Sequence, residues 1–144
     1  MMAITVETIH HVGIGVTDLV RARAFYIDTL GFRPHHQVPT WLILNNASAL
    51  HLVPLAAGGP PRHHPVQHVA LQVPDLRSTL ASLLDCGCTP FQIDFAGNTH
   101  AVTQPLDPLD FGIGTLFVRD PDGNLVEFLQ LGHGLFASAM DRIH

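Results

Sequence analysis

From His11 to Val16 apolar side chains fall on every second position, at Val12, Ile14 and Val16, and the positions between them carry His11, Gly13 and Gly15. Such alternation predicts a strand with one buried face, and here the other face is nearly without side chains. Asp18 then stands as an N-cap, Leu19, Ala22, Tyr26 and Leu30 follow at helical spacing, and Gly31 sits where a helix closes. The same order recurs further on. In the second stretch Val69, Leu71 and Val73 alternate with His68, Ala70 and Gln72. Asp75 caps, Leu76, Leu80 and Leu83 or Leu84 make the apolar stripe, and Gly87 closes. At an offset of 57 positions His11 matches His68, Val12 matches Val69, Ile14 matches Leu71, Val16 matches Val73, Asp18 matches Asp75 and Leu19 matches Leu76. The chain is an internal duplication of a strand followed by a helix.

Each helix is followed by three extended stretches: "FRPHHQV", "TWLILNN" and "ALHLVPL" in the first half, "TPFQIDF", "GTLFVRD" and "NLVEFLQL" in the second. The turns between the late strands are expected at 45–48, Asn-Asn-Ala-Ser, and at 120–123, Asp-Pro-Asp-Gly. The reading is one α+β domain over 1–144, built from two tandem βαβββ modules. Module one spans 8–56, a Gly- and Pro-rich linker 57–65, module two 66–131, and a short tail 132–144. Module two also holds a long Pro-containing stretch, 96–114, expected to be a loop of the kind that forms lids.

Composition removes several function classes. With 144 residues, 47% of them hydrophobic, the chain builds a core without disulfides or structural zinc. Cys86 and Cys88, the only cysteines, are too close in sequence for a comfortable bridge and are expected to be reduced. All seven basic residues are arginines, the formal charge is -5 and no basic run occurs, so nucleic acid is not an expected partner. No apolar run reaches the roughly 18 residues of a membrane span and no cationic flank precedes the first apolar stretch, so a cytoplasmic protein without a membrane partner is expected.

The faces of the strands carry the candidate chemistry. His11 shares its face with two glycines, which suits a sheet lining a hollow; His68 shares the matching face of the second copy with Ala70 and Gln72. On the last strands His51 shares a face with Ala49 and Val53, and Glu127 with Leu125 and Leu129. An ionised glutamate within an apolar strand costs several kcal/mol unless a cation meets it or its pKa shifts. A metal ion supplies that cation. Two imidazoles and one carboxylate around an open position suit Fe(II), Mn(II), Ni(II), Co(II) or Zn(II).

Three segments, "HHVGIGVTDLVRARAFYIDTLGF", "HVALQVPDL" and "LFVRDPDGNLVEFLQ", in this order and spacing, resemble the vicinal oxygen chelate superfamily of glyoxalases, bleomycin-resistance proteins and extradiol dioxygenases. The resemblance covers residues 8 to 131 and implies paired βαβββ modules whose mixed sheets curl around a cavity. It implies one divalent metal ion per site, held by His11, His51, His68 and Glu127, with His51 and Glu127 as the candidates for catalysis. His51 stands where glyoxalase I has a glutamate serving as ligand and base, and imidazole is able to do either. The implied activity is lyase or isomerase chemistry on a small substrate chelated through neighbouring oxygens. Extradiol ring cleavage is the first alternative, set back because Phe117 stands where those enzymes carry a tyrosine. The second alternative is metal-free binding of a drug or metabolite, as in bleomycin-resistance proteins. Relatives of this kind also imply a homodimer with the cavity shared between subunits.

The remaining residues take blander readings. His10 is expected on the helix side or at the strand entrance, and the doublets His35-His36 and His63-His64 on the surface. His100 is a loop histidine. Phe91, Phe95, Phe111 and Phe117 are read as core or pocket wall, and Arg119 as a brace for the Asp-rich turn.

Overall fold

Both copies of the strand and helix fold against a sheet of their own. The computed structural model describes residues 3–5, 7, 9–44, 48–55, 67–94, 96–109, 114–130 and 132. The chain divides into two compact units, Met1–Arg62 and His63–His144. The expected linker 57–65, with His63 and His64, lies outside the described residues, as do turn residues 45–47, Phe95, Phe111 and the tail beyond 132. No helix of the described residues is long and apolar enough to cross a membrane.

In the first unit β1 (His11–Val16) lies parallel to β4 (Ala49–Pro54), which pairs antiparallel with β3 (Trp41–Ile43), itself antiparallel to β2 (Arg33–Pro34). The parallel pair is possible because α1 (Leu19–Arg23) and the helical segment after it carry the chain across the sheet. Ile14, Val16, Leu42, Leu50 and Leu52 bury one sheet face together with Ala22, Tyr26 and Phe32. The Asp18 carboxylate accepts from the Arg21 amide at 3.0 Å, as an N-cap does.

The helix then departs from its copy in a way the duplication explains. Thirteen positions separate Asp18 from Gly31, but twelve separate Asp75 from Gly87. The extra residue is absorbed by a π-helical stretch, Ala24–Thr29, with the Leu30 amide reaching the Phe25 carbonyl at 3.1 Å. Both helices still end on a glycine at φ 78°, a conformation open to Gly and costly for other residues.

In the second unit the sheet order is β5 (His68–Gln72), β9 (Leu125–Leu129), β8 (Thr115–Arg119), β6 (Phe91–Ile93) and β7 (Thr99–Ala101), with β5 parallel to β9 and the other pairs antiparallel. Helix α2 (Leu76–Asp85) starts on the Asp75 cap and buries Leu76, Leu80 and Leu83 with Leu116, Val118, Val126 and Phe128 of the sheet. Each fully buried leucine contributes about 1.5–3 kcal/mol over an exposed one. The turn between β8 and β9 closes through the Gly123 amide on the Asp120 carbonyl at 2.9 Å, and Arg119 braces it by donating to the Gly123 carbonyl at 3.1 Å.

Strand β7 corrects the expectation of one long loop over 96–114. Asp94 gathers the amides of Ala96 and Asn98 and the ring of His100, closing a hairpin that pairs Thr99–Ala101 with β6. All three residues of this strand are exposed, so no alternation of apolar positions marked it.

Candidate functional site

In the first unit, pairing places Gly13 beside His51 and His51 beside Trp41, so the three share the face that His11 and Ala49 also occupy. The indole and the His51 ring lie parallel, centroids 4.6 Å apart and planes within 8°. His11 meets the same indole edge-on at 4.7 Å, and the His11 and His51 rings are 6.1 Å apart. The stack fixes the plane of the His51 ring and leaves its nitrogens at the edge.

His10 does not turn away from this group. It sits at the strand entrance, with its Nδ1 2.9 Å from Nδ1 of His11 and its ring 6.3 Å from Trp41. One of these two nitrogens must carry the proton and the other the lone pair. When His11 donates, its Nε2 keeps a lone pair for a ligand, which is the usual arrangement of a metal-binding histidine. His10, Trp41 and Ala49 also line a cavity of about 280 Å³ with His35, Val38 and Ile43. His35, read from sequence as a surface residue, thus forms cavity wall; its Nδ1 accepts from the amides of Gln37 and Val38, and His36 stacks on it. Trp41 lies in the expected strand "TWLILNN", but its place opposite His51 follows from register alone, which the sequence of one strand does not carry.

In the second unit a row of paired residues crosses the sheet on one face: Ala70, Glu127, Phe117, Phe91, Ala101. His68 stands on the same face, with Nε2 3.7 Å from Oε2 of Glu127. The Glu127 side chain is 12% exposed and the His68 side chain 39%. Leu125, Leu129 and Phe117 around the carboxylate are buried. Burial therefore raises the Glu127 pKa, and the neighbouring His68 works in the opposite direction. Phe117 faces Glu127 across the strands and meets the His68 ring edge-on at 6.2 Å, so no phenol stands at this point; the single tyrosine, Tyr26, is fully buried under the first sheet.

The four residues proposed from sequence as metal ligands thus occur as two pairs, His11 with His51 and His68 with Glu127. Among the described residues no group of three or more His, Cys, Asp or Glu is placed to hold a metal ion. The His68–Glu127 pair nevertheless suits one. Two donors about 2.1 Å from a tetrahedral ion lie about 3.4 Å apart, close to the separation of His68 and Glu127, and a carboxylate among leucines is a group that a cation stabilises.

A family model, the glyoxalase/bleomycin resistance protein/dioxygenase superfamily, matches residues 8–128. The chain belongs to this superfamily. Solved structures of the superfamily's fold include TnmS3, an antibiotic-binding protein from Streptomyces sp. CB03234, with TM-score 0.62 and 21% identity over 89% of this chain and 98% of that one. The trypanothione-dependent glyoxalase I of Leishmania major has TM-score 0.61 and 23% identity over 87% of each chain. A glyoxalase/dioxygenase from Nostoc punctiforme has TM-score 0.64 and 15% identity over 90% of this chain and 97% of that one. At these identities the likeness is one of fold. A comparison with curated proteins finds no match.

Proposed function

We propose that this member of the superfamily is a divalent-metal-dependent enzyme with glyoxalase-like lyase or isomerase chemistry on a small substrate offering two neighbouring oxygens. The observation that carries the reading is the His68–Glu127 pair, two donors 3.7 Å apart with the Glu127 side chain 12% exposed on a strand whose Leu125 and Leu129 are buried. His11 and His51 are the further donors. These residues would hold a divalent ion, Fe, Ni, Zn, Mn or Co, which when bound would supply Lewis acidity to the substrate oxygens.

The chain's own groups do the rest. In the tautomer where His11 donates its Nδ1 proton to His10, the other nitrogen of His11 faces a ligand with its lone pair. Trp41 holds the His51 ring in one plane, which suits an imidazole that ligates or moves a proton between substrate carbons. Phe117 keeps the space beside Glu127 apolar and offers no acidic hydroxyl, which sets ring cleavage of a catechol behind isomerisation.

A second reading, metal-free binding of a small aromatic molecule, draws on the parallel Trp41–His51 stack beside the 280 Å³ cavity. One experiment separates the two. Protein purified without chelator is assayed for metal in the wild type and in the His68→Ala and Glu127→Ala variants, then offered hemithioacetals, catechols and CoA esters. Stoichiometric metal, lost in both variants, supports the enzyme; a metal-free wild type that still binds ligand sinks it in favour of the second reading. The homodimer that relatives of this kind imply is checked by sedimentation, and a monomer with full metal content refutes a site shared between subunits.

A further inference from the structure

The second unit holds a larger cavity, about 620 Å³, which the metal reading does not use. Leu84 of α2, Cys88 after that helix, Pro90 before β6 and Phe91 at its start, Val102 after β7 and Arg119 at the end of β8 form its walls. Threonines and an alanine complete the lining, and among the described residues no acid takes part. The volume lies within the roughly 300–1,000 Å³ of small-molecule sites.

Among the described residues Arg119 is the one cation in this lining. Its guanidinium carbon stands 5.9 Å from the centroid of the Phe91 ring. Among the described residues only one terminal nitrogen is engaged, on the Gly123 carbonyl. The other edge of the planar fork is therefore available to a carboxylate, in the bidentate geometry that guanidinium favours. The one thiol, Cys88, is kept protonated by burial and by its neighbour Cys86, so it acts as apolar wall.

We propose that this cavity binds an aromatic monocarboxylate, the ring against Phe91, Pro90 and Leu84 and the carboxylate on Arg119. A dianion fits poorly, because its second charge would be desolvated without a cation to meet it. None of His11, His51, His68 and Glu127 lines the cavity, and Phe91 is two strands from Glu127, about 10 Å at the spacing of paired strands. An occupant therefore leaves the His68–Glu127 pair open, and the site stands whether or not the metal reading holds.

The test is calorimetric titration of the purified chain with naphthalene-2-carboxylate and with the uncharged 2-naphthylmethanol, before and after dialysis against a chelator. The carboxylate binds more tightly than the alcohol under both conditions. Arg119→Gln weakens the carboxylate by roughly tenfold to a hundredfold, the range of a charge-assisted hydrogen bond, and leaves the alcohol unchanged. Because Arg119 also braces a turn, Ala101→Phe serves as a second variant that fills the cavity from β7, beside Phe91, and abolishes binding of both compounds. In a Cys86→Ser background the carboxylate also slows alkylation of Cys88. Equal affinity for acid and alcohol, insensitivity to both variants, or loss of binding with the chelator would each overturn the proposal, the last by assigning the carboxylate to a metal.

Discussion

Replacing Gly13 with alanine separates what the fold needs from what the site needs. Gly13 sits in β1 without a positive φ, and a Cβ built there meets Val53 Cγ2 at 3.7 Å, ordinary van der Waals contact. Neither backbone strain nor a clash opposes the substitution. Glycine within a strand costs about 0.5–1 kcal/mol relative to alanine through the freedom it loses on folding, so Gly13→Ala is stabilising by that amount. For a domain of this size the gain is about 1–4 °C in Tm, readable by circular dichroism or calorimetry. The new methyl falls in register with His51, on the face shared with His11 and Trp41. Binding of a small aromatic ligand, followed through emission of Trp41, the single tryptophan, therefore weakens in the variant that melts later. A lower Tm would refute the reasoning by showing that this face is packed. A higher Tm with unchanged binding and turnover would show that the bare face serves no ligand.

The other expectations address the second unit. Leu80→Ala removes a fully buried side chain between α2 and its sheet and lowers stability by about 2–5 kcal/mol in urea unfolding; a change below 1 kcal/mol would mean that this helix is not docked. Asp94 has its pKa lowered to about 2, first by the His100 hydrogen bond and then by the Asn98 amide. This depressed carboxylate contributes stability that is complete above its ordinary value of 3.8 and is lost as pH falls through about 2, so Asp94→Asn flattens the acid limb of a stability profile between those values. Saturating divalent metal at a hundred times its Kd stabilises the wild type by about 2.7 kcal/mol, and a rise of equal size in Glu127→Ala would exclude that residue as a ligand.

Much of the fold was legible because its signals are local. The two Asp caps, the glycines that close both helices and the strand faces of His11, His68 and Glu127 all follow from spacing within a dozen residues, and the duplication checks each copy against the other. The long stretch 96–114 was misread for the same reason. Its strand, Thr99–Ala101, is exposed on every residue and is held by a polar turn at Asp94, so it leaves no apolar period to find.

What the sequence by itself determined is the duplicated strand and helix, the caps and the parity of each candidate ligand along its strand. Tertiary structure decided which residues stand next to one another. Trp41 reaches His51, and Phe117 reaches Glu127, only through the register of strands that are separate in sequence. His10 joins His11 through side-chain packing that alternation along β1 does not describe. The extra residue of the first helix could be counted from Asp18 to Gly31, but its absorption as a π-helical turn required the helix to keep Tyr26 buried while ending on Gly31. Periodicity is a property of one segment. Register, stacking and cavities depend on pairs of segments, and their energies are set by contacts that form only when the chain has closed on itself.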